Sequence, residues 1–337
     1  IAELSANHNQ DFDHAVKLIN AAKEAGADAI KLQTYTADTI TIDCDNEYFC
    51  IGKGTIWEGK TLYKLYQESY TPWEWQPKLK LIANELGMDL FSSPFDHTAV
   101  DFLEDMGVPA YKIASFELID IPLIQRVAQT GKPIIMSTGM ATLAEINDAV
   151  TAARESGCKE IALLKCTSAY PADPAEMNLQ TIPHMALAFE VPVGLSDHTL
   201  GIAVPVAAIA LGACIIEKHF TLSRRISGPD SAFSLEPHEF KAMVDAIRIS
   251  EKAIGEVSYA CTATEAASRI FRRSLYIVQD MKKGDVLTNK NLRSIRPGLG
   301  LQPKFYDMLI GKPINRNVKR GTAMSWDLVI DNINKCN

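Results

Sequence analysis

Gly194-Leu195-Ser196-Asp197-His198-Thr199 and, after a helix of small residues, Cys214-Ile215-Ile216-Glu217-Lys218-His219-Phe220-Thr221 are two apolar runs that turn polar at their carboxyl ends. Each places a histidine there. In a parallel α/β protein the carboxyl ends of neighbouring strands converge on one face, so His198 and His219 are expected close together. Two imidazoles with oxygen donors nearby suit a divalent cation with open coordination positions. Ordinary hydrogen-bonded histidines at strand ends would leave the same trace.

Outward from this pair, the same unit recurs. Apolar runs at 1–6, 29–35, 89–94, 110–114, 133–138, 160–167, 191–196 and 214–220 read as strands. Helical spacing at 13–25, 75–86, 143–156, 202–211 and 237–254 falls between or after them. Strands alternating with helices imply a parallel sheet. Eight such units in roughly 250 residues match a TIM (β/α)8 barrel better than an open doubly wound sheet. No GxGxxG follows the first strand, which argues further against a dinucleotide fold. The organisation expected is a barrel over 1–258, a small polar linker over 259–271 and a second, mostly β module over 272–337. Turn signals at Lys283-Gly284-Asp285, Arg296-Pro297-Gly298 and Arg320-Gly321 divide that module into short β-like runs, the last at 326–329. The stretch 36–73 is too long for an ordinary βα loop and carries Trp57, Tyr63, Tyr66, Tyr70 and Trp73. Its 60–66 portion has helical spacing, so its aromatics either pack on the barrel or line a substrate pocket.

Bulk properties narrow the class. Of 337 residues, 47% are apolar and 22% charged, as in a soluble globular protein. No apolar run reaches the ~18 residues of a membrane span. Seven cysteines without a CxxC pair suggest free thiols in a reducing compartment, and no signal peptide is read, so a cytoplasmic location is expected. The chain has 34 basic and 41 acidic residues; 13 and 5 of these lie from Arg272 onward, leaving 21 and 36 before it. A tail at +8 facing a remainder at −15 favours docking between the two parts, or help in holding an anion. The basic residues form no aromatic-interleaved stripe, which sets nucleic-acid binding aside.

The strand ends repeat the polar turn eight times: Glu3 with Asn7-His8-Asn9; Lys31 and Gln33; Ser92 and Ser93; Lys112, Ser115 and Glu117; Ser137, Thr138 and Gly139; Thr167, Ser168 and Tyr170; Ser196, Asp197 and His198; Glu217, Lys218 and His219. Alternation puts Lys31 with Gln33 on one side of their strand, and Glu217 with His219 on one side of theirs. Lysines and carboxylates directed into a barrel mouth would be costly to bury without a ligand, which favours an enzyme over a barrel that merely binds. Lysines, hydroxyls and turn N–H groups suit a phosphate or carboxylate anion. Lys31, Lys112 and Lys218 are also formally able to form a Schiff base, as in an aldolase, but that reading leaves the two histidines unexplained. A metal acting as Lewis acid on a carbonyl accounts for them, although no compact ligand motif such as HExxH supports it.

Several stretches together resemble the sialic acid synthase family. They are Ala2-Glu3-Leu4-Ser5-Ala6-Asn7-His8-Asn9, Lys31-Leu32-Gln33, Tyr111-Lys112-Ile113-Ala114-Ser115, Ser137-Thr138-Gly139-Met140, Cys166-Thr167-Ser168-Ala169-Tyr170-Pro171 and Gly228-Pro229-Asp230, with the two stretches quoted first. Ile295-Arg296-Pro297-Gly298-Leu299-Gly300 resembles the antifreeze-like (SAF) domain those enzymes carry. The stretches 57–66 and 70–75 look most like the pseudaminic acid synthase branch. Ser231 follows Asp230 where the neuraminate enzymes usually have His, which weakens an N-acetylmannosamine reading.

The resemblance implies condensation of phosphoenolpyruvate with an N-acetylated amino-sugar aldehyde to a nine-carbon α-keto acid and phosphate. For this branch the sugar would be 2,4-diacetamido-2,4,6-trideoxy-L-altrose; N-acetylneuraminate and legionaminic acid synthases are the alternatives. It further implies that His198 and His219 hold a divalent ion, Mn2+ or else Mg2+ or Co2+. Lys112, Ser115, Ser137, Ser168 and Tyr170 would bind the phosphate, with Ser196 near the carboxylate. Glu3, Lys31, Gln33, Glu117 and Asp230 would surround the aldehyde, Glu117 and Asp230 handling protons. Arg296 would reach the sugar from the partner subunit of a domain-swapped homodimer.

Overall fold

The computed structural model describes residues 1–52, 57–226 and 228–329. Eight strands close into a barrel in sequence order: β1 (Ala2–Glu3), β2 (Ala29–Thr34), β3 (Asp89–Pro94), β4 (Tyr111–Ile113), β5 (Ile134–Ser137), β6 (Ile161–Cys166), β7 (Val193–Asp197) and β8 (Ile216–His219). Every pairing is parallel, and β1 closes on β8. The TIM-barrel expectation from the alternating pattern is met. The register sets the chemistry: Glu3 pairs with Lys31 on one side and with His219 on the other, while Ser196 pairs with Glu217.

Helices Phe12–Glu24, Gln76–Glu85, His97–Met106, Ile121–Ala128, Leu143–Glu155, Thr181–Phe189, Ala203–Ala210 and Pro237–Ile254 follow the strands in turn. Their starts are written locally. Asp11 and Asp96 cap with their carboxylates, and Thr142 with Glu145 forms a reciprocal capping box. Leu18, Ile19, Ile30, Leu32, Leu103, Ile124, Leu163 and Leu195 are fully buried between helices and strands. Gly194 permits the tight approach of β7 to its neighbour, since a Cβ there would meet the Ile215 carbonyl oxygen at 2.3 Å.

The long insertion after β2 contains the expected helix, Leu62–Ser69. Of Trp57, Tyr63, Tyr66, Tyr70 and Trp73, two pack on the barrel: Trp73 lies against Phe102 and donates to the Tyr35 carbonyl, and Tyr66 meets Tyr35 edge-on. Trp57 is different, with its ring centroid 5.9 Å from that of Tyr170. His8 is buried between Thr71 and the Gln10 N–H, and burial brings its imidazole down to about 4, so it is a neutral brace.

The chain divides into two compact units, the first Ile1–Gly255 and the second from Glu256 onward. The segment read as a linker carries two short helical turns, Ala263–Ala266 and Ala267–Phe271. The second unit has an antiparallel pair, β9 (Ser274–Ile277) and β10 (Leu292–Ile295), isolated bridges such as Met281 with Val318, and its own core around Leu275, Ile277, Leu309 and Met324. The β-like run at 326–329 is instead a 3-10 turn, Trp326–Leu328, with Val329 bridging Ile314. Residues 330–337 of the expected second module lie outside the described residues. No helix is long and apolar enough to cross a membrane among the described residues, and all six described cysteines are free thiols.

Candidate active site

The carboxyl ends of the strands meet in a buried polar cluster. Lys31 Nζ lies 2.7 Å from Glu217 Oε1 and 3.0 Å from Glu3 Oε2, and Lys112 Nζ lies 3.1 Å from Glu217 Oε1. Gln33 Nε2 donates to Glu3 Oε1 at 3.0 Å and to the Ser5 hydroxyl at 3.1 Å. Ser196 donates to Glu217 at 3.4 Å. Burying these charged groups is tolerable because each neutralises another at hydrogen-bonding distance. Burial opposes the Glu217 charge, but Lys112 and Lys31 outweigh it and hold the carboxyl well below its ordinary range. Burial likewise opposes charge on Lys31, yet Glu217 and Glu3 hold it above the usual lysine value. Lys112 responds the other way: burial brings it down to about 8 despite Glu217.

Alternation along β8 separates two adjacent residues. Glu217 and His219 face the mouth, whereas Lys218 is tied to Asp197 and to the Thr199 and Gly201 carbonyls. Lys218 and Asp197 therefore form a buried structural pair, and Lys218 leaves the set of lysines eligible for chemistry. On β3, Ser92 bonds Thr34 at 2.6 Å and is likewise structural.

Beside the cluster lies a hydroxyl-lined cradle. The Gly139 N–H donates to the Ser115 hydroxyl at 3.1 Å; a Cβ on Gly139 would sit 2.1 Å from Ser168 Oγ and 2.7 Å from Ser115 Oγ. Only a glycine leaves room between those two serines. Ser137 Oγ is buried without a partner among the described residues, an orphaned donor of the kind an anion satisfies. Glu117, on the 3-10 turn Ser115–Glu117, is pushed up to about 7 by burial, and its Oε2 also lacks a partner among the described residues.

His198 and His219 stand with ring centroids 5.3 Å apart, as the opening stretch anticipates. Tyr170 stacks 4.3 Å from His198, and Phe233 lies 4.9 Å from His219. His198 Nδ1 is 3.0 Å from the Thr167 carbonyl, so it donates there and leaves Nε2 to accept. Burial opposes charge on His198, but the Cys166 sulfur beside it and the Thr167 carbonyl outweigh burial and raise it above its ordinary value. A cation at Nε2 would compete with that proton. Burial, followed by the neighbouring His198, holds His219 well below its ordinary range, so its imidazole is neutral. Its Nδ1 is buried without a partner among the described residues. Two adjacent imidazoles, one with an orphaned nitrogen, fit a divalent cation. Among the described residues no group of three or more His, Cys, Asp or Glu forms a complete cage, so oxygen from water or substrate would have to finish the shell.

Asp230, on the loop after β8, is buried and pushed up by burial, with Ser5 and the Ala6 N–H working against that shift. Arg296 lies just past β10 in the second unit. The barrel thus gathers Glu3, Lys31, Gln33, Lys112, Ser196, His198 and His219, sets Ser115 and Ser168 in the cradle with Ser137 two residues ahead of its glycine, and holds Asp230 against Ser5.

The NeuB family model matches residues 18–259, and an SAF domain model matches residues 272–330. The chain belongs to the NeuB family. A pseudaminic acid synthase of Helicobacter pylori is 45% identical to this NeuB chain over 97% of it and 96% of that protein. An N,N'-diacetyllegionaminic acid synthase of Legionella pneumophila is 37% identical over 97% and 93%. Among solved structures, the N-acetylneuraminic acid synthetase of Leptospira borgpetersenii is 31% identical, covers 79% of this chain and 88% of that one, and superposes with a TM-score of 0.70.

Three contributors escape a sequence reading of this NeuB barrel. Glu217, read as sharing a side with His219 but given no role, is the counter-charge that organises both lysines. Ser5 looks like one more small residue, and Phe233 like core. The signal for Glu217 lay in the alternation with His219; nothing local marks Ser5 or Phe233.

Proposed function

We propose that the chain is a pseudaminic acid synthase, a C–C bond-forming enzyme that condenses phosphoenolpyruvate with 2,4-diacetamido-2,4,6-trideoxy-L-altrose. The observation that carries the chemistry is the pairing of a serine–glycine cradle with two adjacent imidazoles at one barrel mouth. The sugar rests on the relatives: synthases named for pseudaminic acid are 45–46% identical to the chain, above those named for legionaminic acid at 37–38%.

In this reading Lys112, Ser115, Ser137, Ser168 and Tyr170 bind the phosphate, and Ser196 lies towards the carboxylate. Lys31, Gln33 and Glu3 orient the open-chain aldehyde. His198 and His219 hold a divalent cation, Mn2+ before Mg2+ or Co2+, which when bound supplies Lewis-acid polarisation to an aldehyde oxygen. C3 of phosphoenolpyruvate forms the new bond to the aldehyde carbon. Water adds at C2, and the C2–O bond breaks to release phosphate. The aldehyde oxygen gains a proton, and the water gives up two, one as it adds at C2 and the second from the C2 hydroxyl to the departing phosphate as the ketone forms. Glu117, poised at about 7, suits the donor role to the aldehyde oxygen, and Asp230 that of acceptor from the attacking water. Arg296 reaches the sugar from the partner subunit of a domain-swapped cytoplasmic homodimer; the charge difference between tail and barrel favours docking of a tail on a barrel and is equally compatible with the tail of the same subunit.

Phosphate release tests the scheme. It is expected only when phosphoenolpyruvate and an amino sugar are both present, and EDTA should abolish it until Mn2+ is restored. His198→Ala and His219→Ala should each lose both activity and bound metal by elemental analysis. Full activity in the chelated protein would remove the metal from the scheme.

A further inference from the structure

Ser5 has no part in the reaction drawn above, yet it occupies an unusual place. It is buried, and its φ is 44°. A side chain is disfavoured in that backbone region, and a glycine would adopt it without strain. What serine contributes there is its hydroxyl.

That hydroxyl donates to Asp230 Oδ2 and accepts from Gln33 Nε2 at 3.1 Å. Gln33 Nε2 also donates to Glu3 Oε1, itself beside Lys31. The hydroxyl both donates and accepts, so its orientation is fixed from two sides. Among the described residues the other donor to the Asp230 carboxylate is the Ala6 N–H, at a long 3.3 Å.

The backbone of Asp230 is anchored independently. Its carbonyl accepts from Ser234 Oγ at 2.7 Å; Ser234 accepts from Asn7 Nδ2 at 2.8 Å, which also donates to the Phe220 carbonyl. Loss of the Ser5 hydroxyl would therefore leave the loop in place and free the carboxylate to rotate. His198, Tyr35 and Tyr170 also lie within electrostatic reach of that carboxylate.

We propose that Ser5 is a positioning residue: it aims the Asp230 carboxylate by tying it to the Gln33–Glu3 pair. The proposal rests on the assignment of Asp230 to proton handling. It extends the site from the strand-end carboxylates to a hydrogen-bonded chain running Glu3, Gln33, Ser5, Asp230.

Ser5→Gly tests it, because glycine suits the backbone and removes only the hydroxymethyl group. The expected result is a Tm equal to or above wild type, an unchanged Kd for phosphoenolpyruvate, and a kcat lower by about 10- to 100-fold, the effect of a misdirected reacting group. The double variant Ser5→Gly/Asp230→Asn should be no slower than Asp230→Asn alone, since the two act as one unit. A kcat within about twofold of wild type would overturn the proposal, as would losses that multiply in the double variant. A fall in Tm accompanying the lost rate would make Ser5 merely structural and overturn it equally. The cycle is run on whichever amino sugar the wild-type protein consumes, so a wrong sugar assignment leaves the Ser5 result readable. Absence of turnover with every sugar would sink the synthase reading and this proposal together.

Discussion

At the scale of single residues, adjacent side chains take opposite roles through geometry alone. Lys218 and Glu217 are neighbours, but one is bound to Asp197 away from the mouth and the other organises it. Two titrations follow. Lys112 is charged below about pH 8 and neutral above, so phosphoenolpyruvate binding should be full below that value and weaken as pH rises through it. Kd measured from about pH 6 to about pH 10 should show this limb, and Lys112→Arg, which stays charged, should lack it. A limb that persists in the arginine variant would move the effect to another group. Glu117, at about 7, is protonated below neutrality; as a proton donor it predicts kcat/KM falling as pH rises through 7. Glu117→Gln should lose that limb and run roughly 100-fold slower. The histidine pair was legible in the sequence because both residues end apolar runs. The opposite burial of Lys218 was legible only through strand alternation, and the contact of Ser5 with Asp230 spans 225 positions that no local pattern connects.

At the scale of elements, the strands were readable, and all but Asp89–Pro94, which matches its reading, came out shorter. The first apolar run suggested six residues, but pairing covers only Ala2–Glu3, because Ser5–His8 leaves the strand as a 3-10 turn clamped to the loop after β8. The 326–329 run failed because apolar spacing over four residues does not distinguish a strand from a turn. The turn after β5 makes the sharpest prediction at this scale. Gly139→Ala would drive a methyl into Ser168 and Ser115, at a cost of about 1–3 kcal/mol if the serines are forced aside. Calorimetric titration should find the Kd for phosphoenolpyruvate raised at least about tenfold. Affinity equal to wild type would mean that the anion does not use this cradle.

At the scale of the whole molecule, two units with separate cores and opposite charge make the proposed exchange of tails testable. Arg296→Ala and His219→Ala should each be nearly inactive alone. Mixed and reassembled, a swapped homodimer restores one intact site in each heterodimer, about a quarter of the sites at equal mixing. If each tail served its own barrel, mixing would restore nothing. The central claim, however, is the choice of sugar, and the most direct measurement is a competition. Equal amounts of 2,4-diacetamido-2,4,6-trideoxy-L-altrose, the legionaminic acid precursor and N-acetylmannosamine are offered with phosphoenolpyruvate and Mn2+, and the nine-carbon products are identified by mass and NMR. Pseudaminic acid as the dominant product is predicted; dominance of N-acetylneuraminate or legionaminic acid would contradict the account.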